Sequence, residues 1–215
     1  DDTWFNIISR SYADTVHYYS GTGYFTDEDN GVTRGAEWYV IYGGRQDYVT
    51  YEMQGREVTI ELDHQHITPA AQLSLLWNYN WHSLVGYLEN ALYGIHGYVL
   101  NANSLVPVEA KVFIEGYDKD SSHVYSYIQT GSFVRFLAPG TWTLTFSADN
   151  YSDLTISNII VTAGQMTEIT VKMNPIINSI DTINPPTPVL YPNPATTELR
   201  AVMPDRIAGQ VNVKI

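Results

Sequence analysis

The chain of 215 residues contains no cysteine. Disulfides and thiolate metal sites are therefore excluded, and its stability must come from packing and hydrogen bonding. Basic residues are scarce, 11 against 23 acidic ones, for a net charge of −12. They form no cluster, which excludes the counterion-displacing surface that nucleic-acid binding requires. The acidic excess is better suited to solubility. No apolar run reaches the roughly 18 residues of a membrane-spanning helix, so no span is expected. The opening Asp-Asp-Thr-Trp shows neither an initiator Met nor a basic-then-apolar leader, so the chain is expected to start partway through a longer protein.

Apolar residues are present at 44%, enough for ordinary cores, with 17 Tyr and 5 Trp among them. Such aromatics serve β-rich packing and concave binding surfaces equally well. Residues 3–19 place Trp4, Phe5, Ile8, Tyr12 and Val16 at helical spacing, with Asp2 or Thr3 as a candidate N-cap. Residues 20–35 are rich in glycine and acidic or amide residues and read as a long loop. Arg56 to Asp63 alternates as a strand does, with Val58, Ile60 and Leu62 on one face and Glu57, Thr59, Glu61 and Asp63 on the other. Thr68-Pro69 opens a second helix whose expected buried stripe is Leu73, Leu76, Trp77, Leu84, Leu88 and Leu92, ending at Gly94.

After Gly94 the pattern changes to about seven short β-type runs, from Ile95–Leu100 to Met166–Met173, separated by turn residues; this spacing predicts a sandwich. Residues 174–188 hold four prolines and read as a linker. The segment from Val189 to Ile215 alternates again and ends on an apparent strand with nothing to pair with. The expected fold class is α/β, a partial mixed-sheet domain over 1–94, followed by an all-β seven-stranded sandwich over 95–173, the linker, and a partial third domain over 189–215.

Glu61 has two readings on pattern alone. It is one of four polar residues on the wet face of a half-buried strand, or a general base near the C-terminal end of a strand, where open α/β sheets place their sites. His64 and His66, two residues apart, form either a chelating pair or a solvated loop pair. His17, His82, His96 and His123 are scattered and read as structural, and Tyr48 and Tyr51 as packing residues.

Residues 31–62 resemble the C-terminal part of the catalytic domain of M14 zinc carboxypeptidases. Gly31-Val-Thr-Arg-Gly35-Ala36-Glu-Trp38-Tyr39, Gly43-Gly-Arg-Gln-Asp-Tyr48 and Glu57-Val-Thr-Ile-Glu61-Leu62 are similar to family motifs. Tyr39 stands 22 residues before Glu61 (61 − 39), and the match runs on through Leu73, Trp77, Asn78, Asn80 and Leu84. The resemblance covers about residues 1–94 and is nearest the regulatory N/E-like branch. It implies Glu61 as the catalytic base, Tyr39 as a mobile cap on the substrate and Gln46 as a lining residue of the pocket for the substrate's last side chain. Arg45 replaces the branch's usual Met, which leaves side-chain preference open. The implied cofactor is zinc, but the family's His-x-x-Glu pair and later His do not occur here, so the ligands are expected outside this chain and the fragment is expected to be inactive by itself. Residues 1–94 are also expected to be poorly stable alone, for want of a sheet over Val58, Ile60 and Leu62.

Pieces such as Ile95-His-Gly97-Tyr-Val99, Gly131-Ser-Phe133-Val-Arg135-Phe-Leu137 and Phe146-Ser-Ala148-Asp-Asn-Tyr151 resemble the transthyretin-like, carboxypeptidase regulatory-like module. Asn101-Ala-Asn-Ser stands where that module usually has an acidic Gly turn. Tyr191-Pro-Asn-Pro194-Ala resembles the start of a type IX secretion sorting domain. Together the resemblances imply a secreted or cell-surface metallocarboxypeptidase. Peptide or protein C-termini would be its partners, with the type IX machinery as a further one, and neither nucleic acid nor a membrane span is implied. The competing reading is a non-catalytic adhesion or docking protein carrying a decayed peptidase remnant.

Overall fold

The apolar stripe at the start of the chain folds as a 19-residue helix, α1 (Asp2–Ser20), which buries Trp4, Ile8, Tyr12, Ala13 and Val16. In the computed structural model the described residues are 2–176, apart from Thr22 and Asp120, together with the strands 189–191, 198–202 and 211–214. The stretch read as a long loop contains a one-turn element, α2 (Asp27–Asn30), and is followed by α3 (Gly35–Trp38) and α4 (Arg45–Tyr51). A short 3₁₀ turn, Ala70–Gln72, leads into α5 (Leu73–Glu89), and a second one, Asn90–Leu92, closes it.

Helix α5 packs along α1, but through a face other than the expected one. Its fully buried residues are Asn80 and Ser83; of the expected stripe Leu76 and Leu84 are half-buried, whereas Leu73, Trp77, Leu88 and Leu92 are exposed. The physical reason is hydrogen bonding: Ser83 donates to the Tyr12 carbonyl at 3.0 Å and Asn80 accepts from the Tyr12 hydroxyl at 3.0 Å, so the polar face is the one turned to α1. Tyr48 and Tyr51, read as packing residues, are likewise exposed.

Residues 56–63 alternate in burial as expected over Val58 to Glu61, with Val58 and Ile60 the less exposed, but they form no strand. A strand requires a ladder of inter-strand hydrogen bonds, and no described segment offers one here.

The seven strands expected after Gly94 are all present: β1 (Gly94–Asn101), β2 (Lys111–Phe113), β3 (Val124–Tyr125), β4 (Ser132–Arg135), β5 (Gly140–Ser147), β6 (Leu154–Val161) and β7 (Met166–Met173). They form two sheets, β4-β1-β7 and β3-β2-β5-β6. The first is mixed, because β1 runs antiparallel to β4 but parallel to β7, with Gly97 opposite Ile169 and Val99 opposite Val171. Alternate residues face inward, and Ile95, Val99, Val112, Leu144, Phe146, Val171 and Met173 form a closed apolar core. The architecture is thus an α/β-type fragment followed by a β-sandwich.

One buried charge pair sits in this sandwich. Arg135 on β4 donates to Asp118 at 2.5 Å and to the Ser122 carbonyl at 2.8 Å, while Asp118 accepts the Ile114 N–H at 2.7 Å. Their side chains are 0% and 5% exposed, so the pair is desolvated and depends on these bonds for compensation.

The described chain divides into two compact units at Pro175/Ile176. The second holds an antiparallel three-stranded sheet of β8 (Val189–Tyr191), β9 (Glu198–Val202) and β10 (Val211–Lys214), with β9 in the middle. The last strand therefore does have a partner, Val211 lying opposite Ala201, contrary to the expectation of an unpaired end. Most of the expected linker and the Pro-Asn-Pro piece lie outside the described residues.

Gly97 sets the spacing at the centre of β1. A Cβ there would lie 2.5 Å from the Ile169 carbonyl oxygen and 2.7 Å from the Phe133 ring. Gly97→Ala is therefore expected to lower unfolding free energy by about 2 kcal/mol or more through overpacking, read as a reduced urea midpoint at unchanged slope.

Candidate functional site

Gly43, with φ of +71°, turns the chain into α4, and the Asp47 carboxylate accepts the Gly44 N–H at 3.0 Å to fix the first turn. Arg45 and Gln46 are thereby presented to the extended segment that follows. Gln46 donates through Nε2 to the Thr59 hydroxyl at 2.9 Å, and Arg45 pairs through Nε with Glu57 at 3.2 Å. The Arg45 side chain is 86% exposed, so that pair contributes at most about 1 kcal/mol. Between the two segments lies a cleft of about 530 Å³, lined by Ile41, Gln46, Glu57, Val58 and Thr59 among others.

Of the three expected site residues, Gln46 lines this cleft while Tyr39 and Glu61 do not. Tyr39 follows α3 in extended backbone and is 66% exposed. Glu61 is exposed as well. Each stands two residues from a lining residue, Ile41 and Thr59, so each lies within roughly 7 Å of chain reach from the cleft's edge.

What holds this region to the helices was not legible in advance. Asn80 on α5, 1% exposed, accepts from the Tyr12 hydroxyl at 3.0 Å and donates to the Tyr24 hydroxyl at 2.8 Å and to the Leu76 carbonyl at 2.9 Å. Tyr24 in turn donates to the Leu62 carbonyl at 3.0 Å, the residue after Glu61. Burial pushes the Tyr12 phenol up to about 12 and also raises Tyr24, whose bond from Asn80 opposes the shift.

The sites that could hold zinc were tested against the donors present. Among the described residues no group of three or more His, Asp or Glu is gathered in metal-binding reach. His64, a candidate chelator, pairs with Asp27 at 3.3 Å instead, and His17 is bonded to the Phe25 carbonyl at 2.8 Å. These residues do not fit a zinc site. Among the described residues no helix is long and apolar enough to cross a membrane.

Residues 1–83 match the family model of zinc carboxypeptidases, and residues 94–174 match that of the carboxypeptidase regulatory-like domain. Carboxypeptidase D of Mus musculus is 33% identical over 206 residues, covering 90% of this chain and 15% of the relative. Carboxypeptidase D of Homo sapiens is 32% identical over 84% of this chain and 13% of the relative. The catalytic chain of carboxypeptidase N from Mus musculus is 30% identical over 76% of this chain and 35% of the relative. The chain therefore spans about a third or less of the length of these relatives. Its first segment is thus similar to the M14 zinc carboxypeptidases, and the segment behind it to the carboxypeptidase regulatory-like domain.

Two outcomes follow from the Asn80 hub. Asn80→Ala strands the buried Tyr12 hydroxyl and should lower unfolding free energy by about 2–4 kcal/mol, measured by urea titration. Tyr12 holds its proton more tightly folded, at about 12, than an unfolded tyrosine at about 10. The folded state thus binds more protons across that window, and stability that is complete below pH 10 should decline as pH rises toward 12. Thermal melts between pH 8 and pH 12 check this, and Tyr12→Phe should flatten the decline.

Proposed function

We propose that this chain is part of a secreted metallocarboxypeptidase that hydrolyses the last peptide bond of peptides or proteins. The observation that carries this reading is the order of the two family matches in one chain, peptidase segment first and regulatory-like domain second, at 32–33% identity to carboxypeptidase D over most of this chain's length. We propose the domain division 1–94, 95–173, linker 174–188 and a sorting domain 189–215, the last of these engaging the type IX secretion machinery.

Within that reading Glu61 is the general base. Its carboxylate takes a proton from the water that adds to the scissile carbonyl and returns it to the departing amine as the C–N bond breaks. Tyr39, exposed on the stretch between α3 and α4, closes over the terminal residue of the substrate. Gln46 and Arg45, facing the cleft with Thr59 and Glu57, contact that residue's side chain. Zinc, which the family implies, would be held by residues outside this chain, and the chain alone would be inactive.

The test uses the full-length protein that contains this chain. It should release C-terminal residues from peptides, and Glu61→Gln should lower kcat by about 100-fold or more, the lower end of general-base contributions, with KM little changed. Absence of any C-terminal cleavage by the full-length wild type would leave a non-catalytic docking protein. Retained activity in the variant would remove Glu61 from the chemistry.

A further inference from the structure

Leu62, the residue after Glu61, lies outside any strand, and its carbonyl accepts the Tyr24 hydroxyl at 3.0 Å. The direction of that bond is settled at Asn80. The Asn80 oxygen is occupied by the Tyr12 hydroxyl, while Nδ2 donates to the Leu76 carbonyl and to the Tyr24 oxygen. A phenol has a single proton. With its oxygen already accepting from Asn80, Tyr24 directs that proton at Leu62. Burial raises the Tyr24 phenol, the Asn80 bond opposing and the Asp63 carboxylate adding to the rise, so the donor keeps its proton at neutral pH.

Tyr24 is itself fixed. The next residue, Phe25, holds φ of +60°, a conformation that costs a bulky side chain about 1–3 kcal/mol and persists only where the surroundings enforce it. Here His17 Nε2 donates to the Phe25 carbonyl at 2.8 Å, and the Phe25 ring lies 5.9 Å from that of Tyr12. The Tyr24 ring lies 5.1 Å from that of Tyr79 on α5.

We propose that Tyr24 is a positioning residue for the Glu61 carboxylate, acting through the Leu62 carbonyl, with Asn80 setting the direction of its hydroxyl proton. On the other side of Glu61, Gln46 holds Thr59 through its side chain. Among the described residues Tyr24 is thus the contact nearest Glu61 that grips the main chain. A general base must stay within hydrogen-bond reach of the proton it takes, and a displacement of about 1 Å can cost about 100-fold in rate. The catalytic half of the proposal rests on the reading of Glu61 as base; the grip on Leu62 does not.

The test separates the two through Tyr24→Phe, which keeps the ring and removes the hydroxyl. In the 215-residue chain, cleavage by a Glu-specific protease is followed by mass spectrometry after Glu61, after Glu57, which Arg45 holds, and after Glu168 inside β7. Cleavage after Glu61 should rise about fivefold over both references, the effect of losing about one hydrogen bond in a locally opened state. An unchanged ratio overturns the proposal, and so does an equal rise at Glu168, which would mark general unfolding. In the full-length protein, kcat per zinc-loaded molecule should fall about tenfold at unchanged KM, a split that lost stability alone would not produce. Unchanged kcat in Tyr24→Phe, where Glu61→Gln abolishes turnover, overturns the positioning role. If the wild type cleaves no peptide, or Glu61→Gln stays active, the reading of Glu61 as base fails and the positioning role with it, while the protease pattern still decides whether Tyr24 grips Leu62.

Discussion

The side chain of Asn80 satisfies three partners inside the first segment, and the geometry around Glu61 descends from them. Its oxygen takes the Tyr12 hydroxyl of α1, its nitrogen serves both Tyr24 and the Leu76 carbonyl, and Tyr24 passes the connection on to Leu62. Three elements distant in sequence meet at one buried amide. In a low-dielectric setting such a network is strong when complete and costly when broken, since every member left without a partner carries its desolvation penalty. That asymmetry explains why the polar face of α5, and not its leucine stripe, is turned to α1. Apolar contact is available on any side, whereas the Tyr12 hydroxyl and carbonyl accept one geometry.

The sandwich is organised differently. Its core of aliphatic and aromatic side chains is closed between two sheets, and the Phe133 and Phe146 rings meet edge to face at 5.5 Å. The Asp118–Arg135 pair at one end is weak evidence for stability in itself, because desolvating two charges offsets much of their attraction. Its four bonded groups, however, fix β4 to the Ile114–Ser122 connection in a single arrangement. A module with its own closed core can tolerate contacts with another part of the chain without rearranging. The first segment lacks that independence, for it leaves Trp77 and Leu88 of α5, and Leu92 in the turn after it, exposed.

These differences explain which parts of the structure were legible in sequence. The sandwich strands were, because period-two alternation between Gly- and Pro-bearing turns depends on neighbours only a few residues away and all the strands they pair with are in the chain. Helix α1 was legible for the same local reason. The buried face of α5 was not, since a stripe of leucines and a stripe holding Asn80, Ser83 and Tyr87 are both helical in period, and the choice between them is made by Tyr12, some seventy residues earlier. Residues 56–63 carry the alternation of a strand, yet pairing is a property of two segments and sequence pattern reports on one. The hydrogen bond from Gln46 to Thr59 and the pairing of Arg45 with Glu57 depend on a turn at Gly43 whose outcome is set by backbone conformation, so the residues near the cleft could be named by family resemblance while their contacts could not.

The position of Glu61 is constrained even though its side chain is exposed. Contacts to fixed groups fall at Gln54, Arg56, Glu57, Thr59 and Leu62, so no residue between them is more than two positions from a bonded atom. With at most about 3.6 Å of reach per residue, the Cα of Glu61 is confined between Thr59, held by α4, and Leu62, held by Tyr24. These contacts come from different sources: Gln54 from β3 of the sandwich, Arg56 from Tyr87 of α5, Glu57 and Thr59 from α4, Leu62 from the Asn80 hub. A regular ladder would fix every second residue through backbone bonds and would tolerate most side-chain changes. Here the same task falls to side chains, which makes the placement of this carboxylate sensitive to substitutions far from it in sequence, in the helices and in the sandwich alike.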